Sequence, residues 1–493
     1  YEIGVRLVGS EMCIRDSDYT FNAAKTGKYE VTYSVVDNKT GVKFSKSAEI
    51  TVRSPYLVGW LILSEKDGKS ALSFIKMRTV KRDDIDAEGN PVERDSIIFY
   101  DVEKYFRPDL GTEPKGLMEH IGVEYDFGFS DAVYDEIVVM QGKDNWVELN
   151  GNTMEHEVYT KEEFGNDLPE NFEPVEAAMT FSSKLIRDKN GFIYLHRKVL
   201  ANDYHAGSYI SVPLANSTKF KGLYQAHKLY NRNYYVIPAC TEDNSLVGIW
   251  DAGRYNEYSL DGTPSAITEN SSRNDGNIVE LTENTDEKHF KQMSKNVIAM
   301  IPATCGRDNR FDVTDSYIVP KWLALMEEKG TYSMRYFGLE GDTSGGIVTV
   351  TDFKEVPVDA RVFAAGYVDM AVFQHKKYVV FASGKEIWYC PYGGSTSNAV
   401  LLKKFDQNIV SISSHDVEEY TRDGDIYHNG HLGVALENGD FFIYEVVEED
   451  KVLDNITVNQ LYPSPETEDK DNNNFGKIVD TCLLYTTPSP RDG

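Results

Sequence analysis

The chain has 493 residues, room for about three ordinary domains or for one large all-β unit. Lys and Arg number 51 against 79 Asp and Glu, and the net charge of −28 is the wrong sign for neutralising nucleic-acid phosphates or an anionic bilayer. Hydrophobic residues at 41% suffice for a packed interior, no run of apolar residues is long enough for a membrane-spanning helix, and 31 Tyr with 23 Phe against 17 Pro favour strands.

The first residues, 1–17, contain Val5 to Ser17 (VRLVGSEMCIRDS), which resembles translated sequencing-adapter sequence, as does the closing Thr481 to Gly493 (TCLLYTTPSPRDG). Both segments, 1–17 and 481–493, are set aside as non-native, and the reading frame is expected to be truncated at both ends. Setting aside Cys13 and Cys482 leaves Cys240, Cys305 and Cys390, an odd number that fits no disulfide framework.

Residues 18–54 carry the cleanest two-residue period. Tyr29, Val31, Tyr33 and Val35 alternate with Lys28, Glu30, Thr32 and Ser34, and after the turn at Asp37 to Gly41 a second run alternates Val42, Phe44, Ala48, Ile50 and Val52 with polar residues. Together they predict a half-buried hairpin from the end of an Ig-like sandwich; a whole sandwich needs about seven strands, so this is a remnant.

From residue 55 to 480, seven apolar segments recur: Gly59 to Met77, Glu136 to Leu149, Met179 to Lys198, Tyr234 to Tyr258, Asn296 to Phe337, Asp369 to Tyr389 and Gly430 to Val446. Several share one plan, a strand, a tight turn such as Lys66-Asp67-Gly68, Lys189-Asn190-Gly191, Ser383-Gly384-Lys385 or Glu437-Asn438-Gly439, and a strand with an aromatic. Recurring hairpins predict an all-β fold, a β-propeller of six to eight blades, with separate β-sandwiches as the competing architecture. Lys81 to Arg94, Glu155 to Glu173 and Ser265 to Asn296 read as surface loops, with a short helix expected around Asp286 to Lys295; Lys321 to Lys329 (KWLALMEEK) reads as a helical turn or two. Thr467 to Asn474 reads as a solvated loop.

The hairpin Tyr29 to Asp37, followed by GWLILSEKDGKSALSFI at Gly59 to Ile75, resembles the PKD-like outer-membrane lipoproteins of Gram-negative gut bacteria. The resemblance implies a PKD-type sandwich before a propeller-like region, a lipid anchor upstream, display on the outer face of the outer membrane, and partnership with starch-utilisation-type glycan uptake proteins. It supplies no catalytic residues and no cofactor.

Chemistry-bearing motifs are sparse. With 79 acidic residues, no carboxylate pair for glycosidic cleavage stands out. Ser64 to Ser70 departs from the sialidase-type turn, with its Asp shifted and its Trp missing, and reads as a hairpin turn. Asp469 to Asn473 begins like a calcium loop with Asp480 at the twelfth position, but Asn474 stands where the sharp turn needs Gly. His415, His428 and His431 with Asp416 could hold zinc, although exposed loop histidines are the preferred reading. Nucleophile-elbow and phosphate-loop motifs are missing, and Cys240, Cys305 and Cys390 end apolar runs as buried or half-buried thiols.

Aromatic residues beside polar ones at strand ends remain as binding candidates, because sugar rings stack on such faces. Trp146, Trp250, Tyr255 and Tyr392 are the candidate ligand-binding residues, each with blade packing as the alternative role, whereas Trp60 and Trp388 lie inside strands and are expected in the core. The expected function is a non-catalytic surface lipoprotein that binds a polysaccharide, an oligosaccharide or a partner protein of an outer-membrane uptake complex, with no metal, cofactor or nucleic acid. A propeller glycoside hydrolase or lyase, and a purely structural scaffold, are the alternatives; the first requires acids from several blades to meet in one pocket.

Overall fold

The computed structural model describes residues 27–485 apart from 53–54, 57, 86–88, 121–135, 144, 152, 180–182, 198–204, 206, 216–217, 226–235, 251–277, 286, 304–320, 342–345, 374–376, 396–397, 417–419, 423–424, 428–429, 449–455 and 466–472. The expected hairpin is present as β1 (Gly27–Val36) and β2 (Lys43–Val52). Its register sets Val35 opposite Phe44, Val31 opposite Ala48 and Tyr29 opposite Ile50 on one face. On the other face, the hydroxyls of Thr32 and Ser47, and of Ser34 and Ser45, meet at 2.9 Å. The apolar face is more open than expected: Val35, Phe44 and Ile50 are exposed.

The remaining strands build seven blades. Blade 1 contains β3 (Val58–Lys66), β4 (Lys69–Ile85) and β5 (Pro91–Thr112). Blade 2 is β6 (Gly116–His120), β7 (Glu136–Met140), β8 (Val147–Asn150) and β9 (His156–Tyr159), followed by one 3-10 turn, Thr160–Phe164. Blade 3 is β10 (Pro174–Met179), β11 (Ser183–Asp188) and β12 (Ile193–Arg197), with Tyr209 bridging to His196 at its outer edge. Blade 4 is β13 (Phe220–Leu223), β14 (Val236–Thr241), β15 (Leu246–Trp250) and β16 (Ile278–Thr282). Blade 5 is β17 (Asn296–Pro302), β18 (Lys321–Glu328), β19 (Thr331–Gly341) and β20 (Val348–Pro357). Blade 6 is β21 (Asp369–Phe373), β22 (Tyr378–Ser383), β23 (Glu386–Pro391) and β24 (Val400–Lys404). Blade 7 is β25 (Ile409–Asp416), β28 (Gly430–Leu436), β29 (Phe441–Glu448) and β30 (Ile456–Tyr462), with β26 (Tyr420–Arg422) and β27 (Asp425–Tyr427) forming a side hairpin. The last strand, β31 (Lys477–Tyr485), returns to blade 1 as its innermost strand, in the order β31-β3-β4-β5.

The ring closes because each blade is apolar on both faces. Along β3, Trp60 and Ile62 pack toward blade 7, while Leu61 and Leu63 pack toward blade 2. Further cores join blades 2 and 3, blades 3 to 5, blades 5 and 6, and blades 6 and 7, so the interfaces form a complete cycle. This is the all-β propeller, and all seven recurring segments fall in different blades. The shared tight turns join the second and third strands of their blades; at Gly439, φ is 93° and a Cβ would strike the carbonyl of Gly476, so glycine is required.

Several local expectations are corrected. Lys321 to Glu328 is strand β18, because pairing on both sides with β17 and β19 overrides its helical pattern. Residues 287–295 form bends rather than a helix, tied by backbone bonds such as Met293 N to Asn244 O. Glu155 to Glu173 contains β9 and the 3-10 turn, and Lys81 to Arg94 mostly extends the β4–β5 ribbon. The ring also passes the expected boundary at residue 480: β31 continues through Thr481 to Tyr485, whose apolar letters suit pairing with β3, and Leu483 and Leu484 are buried.

Candidate functional site

An antiparallel four-stranded blade sends its first-to-second and third-to-fourth connections to one end and its second-to-third turns to the other. The parallel pairing of β16 with β20, outer strands of neighbouring blades, shows that blades 4 and 5 run in the same sense. One face of the ring therefore carries the strand ends His120 and Glu136 (β6, β7), Leu223 and Val236 (β13, β14), Trp250 and Ile278 (β15, β16), Pro302 and Lys321 (β17, β18) and Asp416 and Gly430 (β25, β28). The opposite face carries tight second-to-third turns such as Asp67-Gly68, Lys329-Gly330 and Gly384-Lys385, together with blade-to-blade connections, among them the segment holding Met293, whose N–H donates to Asn244 in the β14–β15 turn.

The densest chemistry lies at the seam of blades 2 and 3. Glu136 shares its strand face with Val138, Glu148 with Trp146, Lys184 with Ile186 and His196 with Tyr194, and these apolar neighbours all belong to the core between the two blades. Period-2 geometry thus aims four ionisable side chains into one interface. The Lys184 ammonium donates to Glu148 Oε2 at 2.6 Å, to Glu163 Oε1 at 2.9 Å and Oε2 at 3.0 Å, and to Glu136 Oε1 at 3.4 Å. Glu163 reaches the seam from the 3-10 turn, and Thr160 on the same turn donates its hydroxyl to Glu148 Oε1 at 2.7 Å. His205 borders the group, with Nδ1 at 3.1 Å from Glu163 and Nε2 at 2.9 Å from Glu157. Lys184, Glu136 and Glu148 are fully enclosed, while the side chain of His205 is 24% exposed and marks the edge nearest solvent.

Electrostatics locks this arrangement. Burial raises Glu136 well above the usual carboxylate range despite the nearby ammonium. The same burial acts on Glu148, but the Lys184 charge and hydrogen bonds outweigh it and hold Glu148 low. Burial would lower Lys184, yet three facing carboxylates raise it well above its ordinary value. His205 is likewise opposed by burial, but its hydrogen bonds to Glu157 and Glu163 push it up to about 10. Glu136, Glu148 and His205 each offer an atom within 4.8 Å of the others, the one such group of metal-capable residues among those described.

Three of the aromatic candidates are enclosed in cores. Trp146 is 1% exposed in the blade 2–3 core, Trp250 is 2% exposed in the core of blades 3 to 5, and Tyr392 is 5% exposed between blades 5 and 6 beside Tyr336. Rings enclosed to this degree present no face to a sugar; the corrected positions are in the core, because apolar neighbours across each seam cover them. Tyr255 lies outside the described residues. Trp60 and Trp388 are core residues as expected, and Cys240 and Cys390 are buried thiols that burial pushes up to about 11 and about 12.

The histidine reading also changes. His431 is buried in β28 rather than exposed in a loop, opposite His415 on β25; His428 lies outside the described residues. Asp480, the twelfth position of the calcium-like string, accepts from Leu117 N at 2.8 Å, Thr481 N at 2.8 Å and Ser411 Oγ at 3.0 Å, bonds that tie inner strands together. The seam cluster was missed because its charged residues read as solvated. The available signal was a charge two positions from a core residue in four separate apolar strands, Glu136/Val138, Trp146/Glu148, Lys184/Ile186 and Tyr194/His196.

With this geometry in place, comparison with known proteins adds one assignment. Residues 12–98 match the PKD-like family. The PKD-like match takes in the β1–β2 hairpin, β3, β4 and the start of β5. No curated protein matches the chain. Among solved structures, the chain is similar to the computationally designed Ika8 protein at 8% identity, covering 80% of this chain and 87% of that one with a TM-score of 0.34. It is similar to yeast RCC1 (Prp20), solved bound to Kap60, at 12% identity over 68% of this chain and 80% of that one, with a TM-score of 0.35. It is also similar to a mutant of AofleA from Arthrobotrys oligospora at 10% identity over 71% and 90%, with a TM-score of 0.32. The propeller assignment rests on sheet order and the cycle of cores, not on these likenesses.

Proposed function

We propose that this protein is a non-catalytic binding module whose long-connection face engages a glycan or a partner protein of an outer-membrane polysaccharide uptake system. The observation carrying this reading is the set of strand ends gathered at one face of the ring, His120 with Glu136, Trp250 with Ile278 and Pro302 with Lys321, between which the sequence places its longest within-blade connections. In sequence these connections hold Tyr125, Phe127, Phe129, Tyr134, Tyr255, Tyr258, Phe311 and Tyr317, side chains suited to stacking on sugars and to protein contacts. The resemblance of the hairpin and first blade to surface lipoproteins is what favours display on the outer face of the outer membrane, through an anchor upstream.

The enzymatic alternative asks for converging acids, and Glu136, Glu148 and Glu163 do converge. Their carboxylates, however, grip an ammonium inside an enclosed seam, which suits cohesion better than substrate access. A glycan array, followed by affinity-gel retention on any polysaccharide that scores, tests the binding reading. The chain should be retained, and Tyr255→Ala with Tyr258→Ala should weaken retention about tenfold, the loss of one or two stacking contacts. Lack of retention on every glycan, together with capture of an uptake protein, would shift the assignment to the scaffold.

A further inference from the structure

We propose that the seam between blades 2 and 3 is a cation site filled by the chain's own Lys184, so that its carboxylates hold a tethered ammonium and take up no metal ion in the native protein. Three carboxylates from three elements, Glu136 on β7, Glu148 on β8 and Glu163 on the 3-10 turn, converge on one Nζ at 2.6–3.4 Å. Such oxygens with the His205 imidazole form a donor set that elsewhere holds zinc or manganese. A metal ion bound about 2.0–2.2 Å from those oxygens would contend for the space that Nζ occupies, 2.6 Å from Glu148 Oε2. The ammonium has no retreat: Lys184 pairs with Met179 on β10 and His196 on β12, and its side chain is fully enclosed.

The hydroxyl of Tyr209 adds an independent mark of a charged centre. It is buried with no hydrogen-bond partner among the described residues, and it lies close enough to feel Glu163, Lys184, Glu148 and Glu136. Removing Lys184 should therefore leave a preformed anionic hole suited to a small primary ammonium or a divalent cation.

Thermal melts of the full chain and of Lys184→Ala, each with ethylammonium chloride, manganese chloride or zinc chloride and with tetramethylammonium chloride as an ionic-strength control, test the proposal. The wild-type midpoint should be the same in all four salts. Lys184→Ala should melt several degrees lower and regain part of the loss, saturably, with ethylammonium or a divalent cation, and this recovery should vanish in Lys184→Ala/Glu148→Gln. Stabilisation of the wild type by a metal, dependent on Glu148, would overturn the proposal in favour of a true metal site. An unchanged Lys184→Ala midpoint, or a lowered one that no cation restores, would also overturn it by reducing Lys184 to a packing residue. If Lys184→Ala does not fold, Lys184→Met is compared with Lys184→Met/Glu148→Gln: higher soluble yield of the double variant supports the site, and equal yields overturn it.

Discussion

His431 sits against the rings of Trp60, Phe99 and His415, and burial alone holds its imidazole down to about 4. In the unfolded chain the same group titrates near 6.5, so its contribution is fully present above that pH and is lost as the pH falls toward 4. The difference corresponds to about 3 kcal/mol. Urea midpoints at pH 7.5 and 4.5 should therefore converge for His431→Phe relative to wild type; an unaltered pH slope would count against a neutral buried imidazole. At the 2–3 seam, Glu148→Gln should cost about 3–5 kcal/mol, because it leaves the Lys184 ammonium short of its nearest partner. Denaturant titration reads that loss, and a cost below 1 kcal/mol would mean that the network is loosely held. Such residues were the hardest to read in sequence. Trp146 and Glu148 stand two apart, so one strand face carries both an aromatic and a charge, and polarity alone suggests solvent for the second and a binding edge for the first.

Inner strands of successive blades are tied by a recurring device in which an acid accepts a backbone N–H from the next blade. Glu176 on β10 accepts from Leu223 N at 2.7 Å, Asp369 on β21 from Ile412 N at 2.9 Å, and Asp480 on β31 from Leu117 N at 2.8 Å. Burial pushes Asp369 up to about 7, against the hydrogen bonds that favour its charge. A raised acid contributes stability fully present below its unfolded value near 4 and lost as the pH climbs through 7. Asp369→Asn keeps a carbonyl acceptor without that titration, so between pH 5 and 8 it should lose less stability than wild type, by about 3 kcal/mol. Parallel denaturation at the two pH values decides this, and identical losses would refute a neutral Asp369 at pH 5. At this scale the sequence was more informative. The second-to-third hairpins of blades 1, 3, 6 and 7 could be read from their tight turns between apolar strands, whereas in blade 5 Lys321 to Glu328 hid its strand character behind Leu, Ala and Met, which propensity assigns to helices until cross-strand pairing decides.

Closure of the whole ring depends on β31, which supplies the innermost strand of blade 1 and places Leu483 and Leu484 in the cores on either side. A chain ending at Asp480 loses both side chains from the interior, roughly 3–6 kcal/mol at 1.5–3 kcal/mol each. Its unfolding should begin at lower urea and include an early phase from blades 1 and 7, visible as loss of hydrogen-exchange protection in β3 and β28; simultaneous loss across all blades would contradict a local seal. The ring itself was legible through its recurring strand–turn–strand hairpins, although their uneven spacing left the blade number open. Its exact closure was not, since the pairing partner of β3 lies at the far end of the chain and no local pattern records so distant a contact.

Val58 faces Tyr485 in the closing pair, and both stand at the end of blade 1 opposite the Asp67-Gly68 turn. The polypeptide thus enters and leaves the ring through adjacent doors on one side. Joining those ends by a short linker and reopening the chain at Asn438-Gly439 would give a circular permutant with the same cores. The same geometry brings the chain from the β1–β2 hairpin into the ring on that side, at Val58, beside the strand by which the ring is sealed.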